Sequence, residues 1–156
     1  MLKILVVEDE FEMQEIIRDY FTAKSKGEIE VVCAANGREG LEFALDTNFD
    51  LVLLDVMLPE MDGFTICREL RRESEVPIIF LTARQEEVDR LHGYGLGADD
   101  YIVKPFSLAE LYAKANSLIK RAKGMVRDKL MTVGKISIDP YKGAVYVEGR
   151  ELELPP

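Results

Sequence analysis

Up to about residue 122, short apolar runs alternate with longer amphipathic stretches. The run Leu2-Lys3-Ile4-Leu5-Val6-Val7 is apolar, rich in β-branched residues at its end, and stops at Glu8-Asp9-Glu10. Apolar residues at Met13, Ile16, Ile17, Tyr20 and Phe21 then recur at helical spacing and predict a helix over 10–24. Residues 29–35 read as a strand, and 37–46 as a helix with Leu41, Ala44 and Leu45 inward. A buried strand over 50–54 and a helix over 63–72 follow. Next comes a strand over 76–81, opened by Pro77 where a missing N–H is tolerated. A helix over 85–94, a short strand over 100–103 and an amphipathic helix over 108–121 complete the pattern.

Five strand–helix pairs in strict alternation predict an α/β fold. Strands apolar on both faces belong to a parallel sheet covered by helices on either side. The economical arrangement is a flavodoxin-like, doubly wound, five-stranded parallel sheet in the order 2-1-3-4-5. Its functional crevice should lie beyond the carboxyl ends of the strands.

After Arg121 the character changes. Residues 1–122 form the expected first domain, the basic stretch 123–130 a linker, and 131–156 a short antiparallel β segment. Alternating apolar residues (Ile136 and Ile138, Val145 and Val147, Leu152 and Leu154) are separated there by Asp139-Pro140-Tyr141-Lys142-Gly143 and Glu148-Gly149-Arg150.

Charge and composition narrow the picture. The net charge is −9, and residues 1–122 carry 14 Lys+Arg against 24 Asp+Glu. That stretch should repel nucleic acid, so any DNA contact is expected later in the chain. The apolar runs are too short to span a bilayer, and acids stand where a signal cleavage site would need small residues. Cys33 and Cys67 alone make neither a disulfide framework nor a zinc site. A cytoplasmic protein is expected.

The strand ends carry the chemistry. Strand 1 ends in Glu8-Asp9, strand 3 in Asp55, strand 4 in Thr82 and strand 5 in Lys104-Pro105. Taken singly, each has a bland reading as a turn former, a helix cap or a surface charge. Asp55 resists that reading because it interrupts two apolar runs, where a charge is costly unless used. Together, three carboxylates call for a hard divalent cation such as Mg²⁺. A hydroxyl and an ammonium beside them could hold phosphate oxygens.

The segments 4–10, 50–59 and 61–63, with Pro77-Ile78-Ile79-Phe80-Leu81-Thr82-Ala83 and Gly97-Ala98-Asp99-Asp100-Tyr101-Ile102-Val103-Lys104-Pro105-Phe106, resemble the receiver domains of two-component response regulators. The resemblance is greatest to the OmpR/PhoB subfamily, whose effector is a winged helix, and covers residues 1–122. It implies that Asp55 accepts a phosphoryl group from a sensor histidine kinase, with Asp9 on Mg²⁺ directly, Glu8 acting through water and the Met57 carbonyl as a further ligand. Thr82 and Lys104 would hold the phosphoryl group, and the Lys104–Pro105 bond is expected to be cis. Tyr101 matches an aromatic switch residue that turns inward as Thr82 moves. Arg90, Asp99, Asp100, Glu110, Lys114 and Arg121 offer charges of both signs for phosphorylation-linked homodimerisation, against the bland reading of a solvated surface. Residues 133–154 resemble the strands that precede a winged helix-turn-helix, so the effector is expected to be truncated, its recognition helix lying beyond Pro156. Promoter DNA is then a partner of a full-length protein and not of this chain.

Two rivals use similar parts. A Mg²⁺-dependent phosphatase with an aspartate nucleophile carries a second acid two residues later, where this chain has Met57. An FMN carrier needs a phosphate loop after strand 1, where Glu8-Asp9-Glu10 would repel the phosphate. The run Gly93-x-Gly95-x-x-Ala98 lacks the preceding strand of a dinucleotide fingerprint, and lone His92 has no second histidine with which to bind a metal.

Overall fold

The computed structural model describes residues 1–83 and 97–131. The expected helix over 85–94, with Arg90 and His92, and the expected strands beyond 131 lie outside the described residues. Contacts divide the chain into a unit Met1–Lys120 and a unit Arg121–Pro156.

The described elements are β1 (Leu2–Val7), α1 (Phe11–Lys24), β2 (Ile29–Ala34), α2 (Gly37–Asp46), β3 (Leu51–Asp55), α3 (Gly63–Arg71), β4 (Ile78–Thr82), β5 (Asp100–Val103) and α4 (Leu108–Met131). The five strands form one sheet in the order β2-β1-β3-β4-β5, and every pairing is parallel. This is the expected doubly wound architecture.

Alternation along the strands builds two cores. Ile4, Val6, Leu51, Leu53, Ile79 and Leu81 face one side, against Ile17 and Phe21 of α1 and Leu111, Ala115 and Ile119 of α4. Their neighbours Leu5, Val7, Val52, Leu54, Ile78 and Phe80 face the other, against Phe64, Ile66, Cys67 and Leu70 of α3. Side chains on successive strand residues point to opposite faces, so a strand buried on both must be apolar throughout.

Side-chain caps set the starts of α2 and α3. Asn36 Oδ1 accepts from the Glu39 N–H at 2.9 Å and caps α2, while Glu39 Oε1 reaches back past the cap to accept from the Ala35 N–H at 3.0 Å. Asp62 caps α3 through the Thr65 N–H at 2.8 Å.

The structure departs from the sequence pattern at three points. Ile16, one of the apolar positions whose spacing predicts the first helix, is 44% exposed and lies outside its buried stripe. It lies about 100° around the helix from Ile17, beyond the stripe formed by Met13, Ile17 and Phe21. Leu45, expected inward, sits at the rim of α2 and is likewise 44% exposed. The last helix runs on to Met131 rather than ending at 121, so the stretch expected as a linker is helical as far as it is described. Ala122, Met125, Arg127, Lys129 and Leu130 are good helix formers, and a single Gly124 costs only about 1 kcal/mol.

Candidate functional site

Register brings the carboxyl ends of the strands level. Val7 pairs with Leu54, Asp55 with Leu81, and Thr82 with Val103. The ladder continues one step beyond the strands: the Val56 N–H donates to Leu81 O at 3.1 Å and the Lys104 N–H to Thr82 O at 2.7 Å. Residues far apart in sequence therefore converge on one crevice.

Glu8 and Thr82 are fully buried, Asp55 is 5% exposed, and Asp9 is open to solvent. One carboxylate oxygen from each of Glu8, Asp9 and Asp55 lies within 4.8 Å of the other two. Lys104 Nζ bridges the two buried acids, 3.1 Å from Glu8 Oε1 and 3.1 Å from Asp55 Oδ2. The Met57 N–H donates to Asp55 Oδ1 at 3.1 Å, and the Met57 side chain stands 58% exposed at the rim. The Lys104–Pro105 peptide is cis, as expected.

Electrostatics follow from this crowding. Burial, and then the charge of Asp55, push the Glu8 carboxyl up to about 7 against the stabilising hydrogen bonds from the Glu10 N–H and Lys104. Burial alone would lower Lys104, but the charge and hydrogen bond of Asp55, with those of Glu8, hold it above the ordinary lysine value. A cluster with more buried acid than base attracts a cation. The oxygen donors suit a hard divalent ion.

Sequence reasoning missed Gln14. It is buried on α1, and its Nε2 donates to Glu8 O at 2.6 Å, fixing the peptide that joins the two acids. The signal was a polar residue inside the apolar stripe, between Met13 and Ile17. Gln14→Leu, which leaves that carbonyl without its donor, should cost about 1–3 kcal/mol in chemical denaturation. An unchanged unfolding midpoint would show that the bond carries no weight.

Outside the crevice, Tyr101 is half-buried and packs against the core shared with α3. Asp99 is engaged within the chain: its Oδ2 accepts from Arg71 Nη2 at 3.1 Å and from the Ile78 N–H at 2.8 Å. Asp100 pairs with Lys114 at 3.1 Å. Glu110 and Arg121 are exposed.

A doubly wound, five-stranded parallel sheet with an acid cluster and a lysine at the carboxyl ends of its strands is the architecture of receiver-type signalling modules. Residues 4–116 match the family model described as the response regulator receiver domain, and the chain belongs to that family. The family is regulatory rather than one of turnover enzymes, which disfavours the phosphatase alternative. The chain is 42% identical to the probable transcriptional regulator ycf27 of Porphyra purpurea, over 97% of this chain and 64% of that protein. It is 37% identical to the transcriptional regulatory protein ResD of Bacillus subtilis, over 99% of this chain and 66% of that one. The chain thus spans about two thirds of the length of these relatives. Among solved structures it is similar to the receiver domain of the Francisella response regulator 1452, with a TM-score of 0.70 and 32% identity over 78% of this chain and 99% of that one. The Thermotoga maritima response regulator TrrA, solved in complex with Mg²⁺-BeF, gives a TM-score of 0.66 and 34% identity over 76% and 99%. No helix among the described residues is long and apolar enough to cross a membrane.

Proposed function

We propose that Asp55 accepts a phosphoryl group from a sensor histidine kinase in a Mg²⁺-dependent step. The observation that carries this reading is the Lys104 bridge between Glu8 and Asp55 beside exposed Asp9. Asp55 and Asp9 offer carboxylate oxygens for the cation, the Met57 carbonyl a further ligand, and Glu8 acts through water. Bound Mg²⁺ supplies charge neutralisation for the approaching phosphoryl oxygens. That TrrA was solved with Mg²⁺-BeF supports this assignment.

The residues of this chain do the rest. An Asp55 carboxylate oxygen attacks phosphorus, forming the acyl phosphate as the bond to the donor's imidazole nitrogen breaks. Lys104 leaves its two carboxylates to hold a phosphoryl oxygen as a point charge, and Thr82 donates its hydroxyl to another. Tyr101 then follows Thr82 inward, a packing change that biases self-association. A homodimer in which Arg90, Asp99, Asp100, Glu110, Lys114 and Arg121 supply the pairing charges is part of this reading, with Asp99 and Asp100 first released from Arg71 and Lys114. Sedimentation should show a monomer before phosphodonor and a dimer after it. A monomer in both conditions at high concentration contradicts the switch.

Within a longer protein of the OmpR/PhoB type the output is transcription control in the cytoplasm, through a DNA-binding effector. Alone, this chain should not bind promoter DNA tightly, because its first 122 residues are strongly acidic.

Acidity offers a test of the cation. Glu8 ionises near 4.5 when unfolded and at about 7 when folded. Between those values the unfolded chain binds fewer protons, so metal-free stability falls as pH rises through that window and levels off above it. Saturating Mg²⁺ should flatten the slope. Urea midpoints at about pH 5 and about pH 8, with Mg²⁺ and with chelator, check this. Equal slopes in the two conditions would contradict it.

A further inference from the structure

The connection from β3 to α3 carries Met57 and is pinned at its base. The Met57 N–H donates to Asp55 Oδ1 at 3.1 Å, and the Gly63 N–H donates to Val56 O at 2.9 Å. Its crest, residues 59–61, rests on the first turn of α2. The Gly37 N–H donates to Pro59 O at 3.1 Å, and the Met61 N–H turns back onto the same carbonyl at 2.8 Å. Arg38 Nε reaches Glu60 Oε1 at 3.2 Å, an exposed pair that adds little. The crest bends sharply enough to hold Glu60 at φ 69.

A Cβ on Gly37 would overlap the Met61 carbonyl oxygen and come within 2.7 Å of the Met61 carbonyl carbon. These are backbone atoms, so no side-chain rotation relieves the clash, and the crest itself must move. Gly124, by contrast, has nothing within 4 Å of such a carbon.

We propose that Gly37 is a positioning residue for the metal site: its missing side chain lets α2 seat residues 59–61, and so holds the Met57 carbonyl where Mg²⁺ needs it. The inference rests on the metal ligation proposed above. It makes α2, an element that supplies no ligand, energetically coupled to the cation. Coupling of this kind is reciprocal. If seating the crest favours Mg²⁺, then Mg²⁺ must favour the seat.

Both directions are measurable by NMR on the 156-residue chain with Mg²⁺ alone. In the unmodified protein, saturating Mg²⁺ should slow hydrogen exchange at the Gly37 and Met61 amides about tenfold. Gly37→Ala should raise the Mg²⁺ concentration for half-saturation about tenfold at a temperature where it is still folded, while Gly124→Ala leaves it unchanged. A merely structural glycine would lower the unfolding midpoint without moving that concentration. If Gly37→Ala fails to fold, the exchange measurement on the unmodified protein decides. Unchanged amide exchange, or an unchanged half-saturation in folded Gly37→Ala, overturns the inference and leaves the metal site standing. Failure of the unmodified chain to bind Mg²⁺ overturns both.

Discussion

Lys104→Met should destabilise the metal-free protein by about 2–3 kcal/mol at mildly alkaline pH. The Lys104 ammonium is 3.1 Å from both Glu8 and Asp55, and the Glu8 side chain has no solvent exposure at all. Removing one partner of a buried ion pair usually costs about 3–5 kcal/mol, because the other charge is left stranded. Two circumstances reduce that figure here. The Lys104 side chain is 23% exposed, so water already screens part of the interaction, and Glu8, with its carboxyl near 7, can take up a proton. Asp55→Asn removes one of the two crowded charges, so the double variant should recover most of the loss. Mg²⁺ should stabilise Lys104→Met more than the parent, since it replaces the missing positive charge. Urea unfolding in chelator and in Mg²⁺ reads all of these. A Lys104→Met midpoint equal to the parent's in chelator would mean that the bridge contributes nothing.

Asp9→Asn should act in the opposite sense, on chemistry rather than on folding. Asp9 is exposed and lies within the acid cluster, so neutralising it leaves the core untouched and relieves repulsion. Its proposed work is to bind the cation directly. Weakening even an outer partner of a metal site costs about 10–100-fold in affinity, and a lost anionic ligand should reach the upper end. The rate of labelling by acetyl phosphate at a fixed, subsaturating Mg²⁺ concentration should fall about a hundredfold. The unfolding midpoint in chelator should hold or rise. Labelling at the parent's rate would remove Asp9 from the ligand set.

These two residues mark how far the sequence could be read. Parallel strands buried on both faces leave unbroken apolar runs, so β1, β3 and β4 stand out, and each ends where the first chemically expensive residue appears. The doubly wound rule then gathers Glu8, Asp9, Asp55, Thr82 and Lys104 without any structure. Three-dimensional packing supplied the rest. Gln14 reads as an interruption of a helical stripe, and only its contact with Glu8 O makes it part of the site. Ile16 and Leu45 satisfy a loose apolar count yet sit at the rims of their helices. Nothing in the sequence around Gly37 shows that another loop's backbone lies against it. Asp99 and Asp100 look like free surface charges in the sequence, whereas Arg71 and Lys114 hold them within the chain. Helix length was misjudged where Gly124 suggested a break that its helix-forming neighbours override.

The central claim is that Asp55 is the phosphoacceptor, and intact-mass spectrometry after incubation with acetyl phosphate and Mg²⁺ tests it most directly. The account predicts the addition of a single phosphoryl group to the parent chain, and none with chelator or in Asp55→Ala. Full labelling of Asp55→Ala under the same conditions would contradict it.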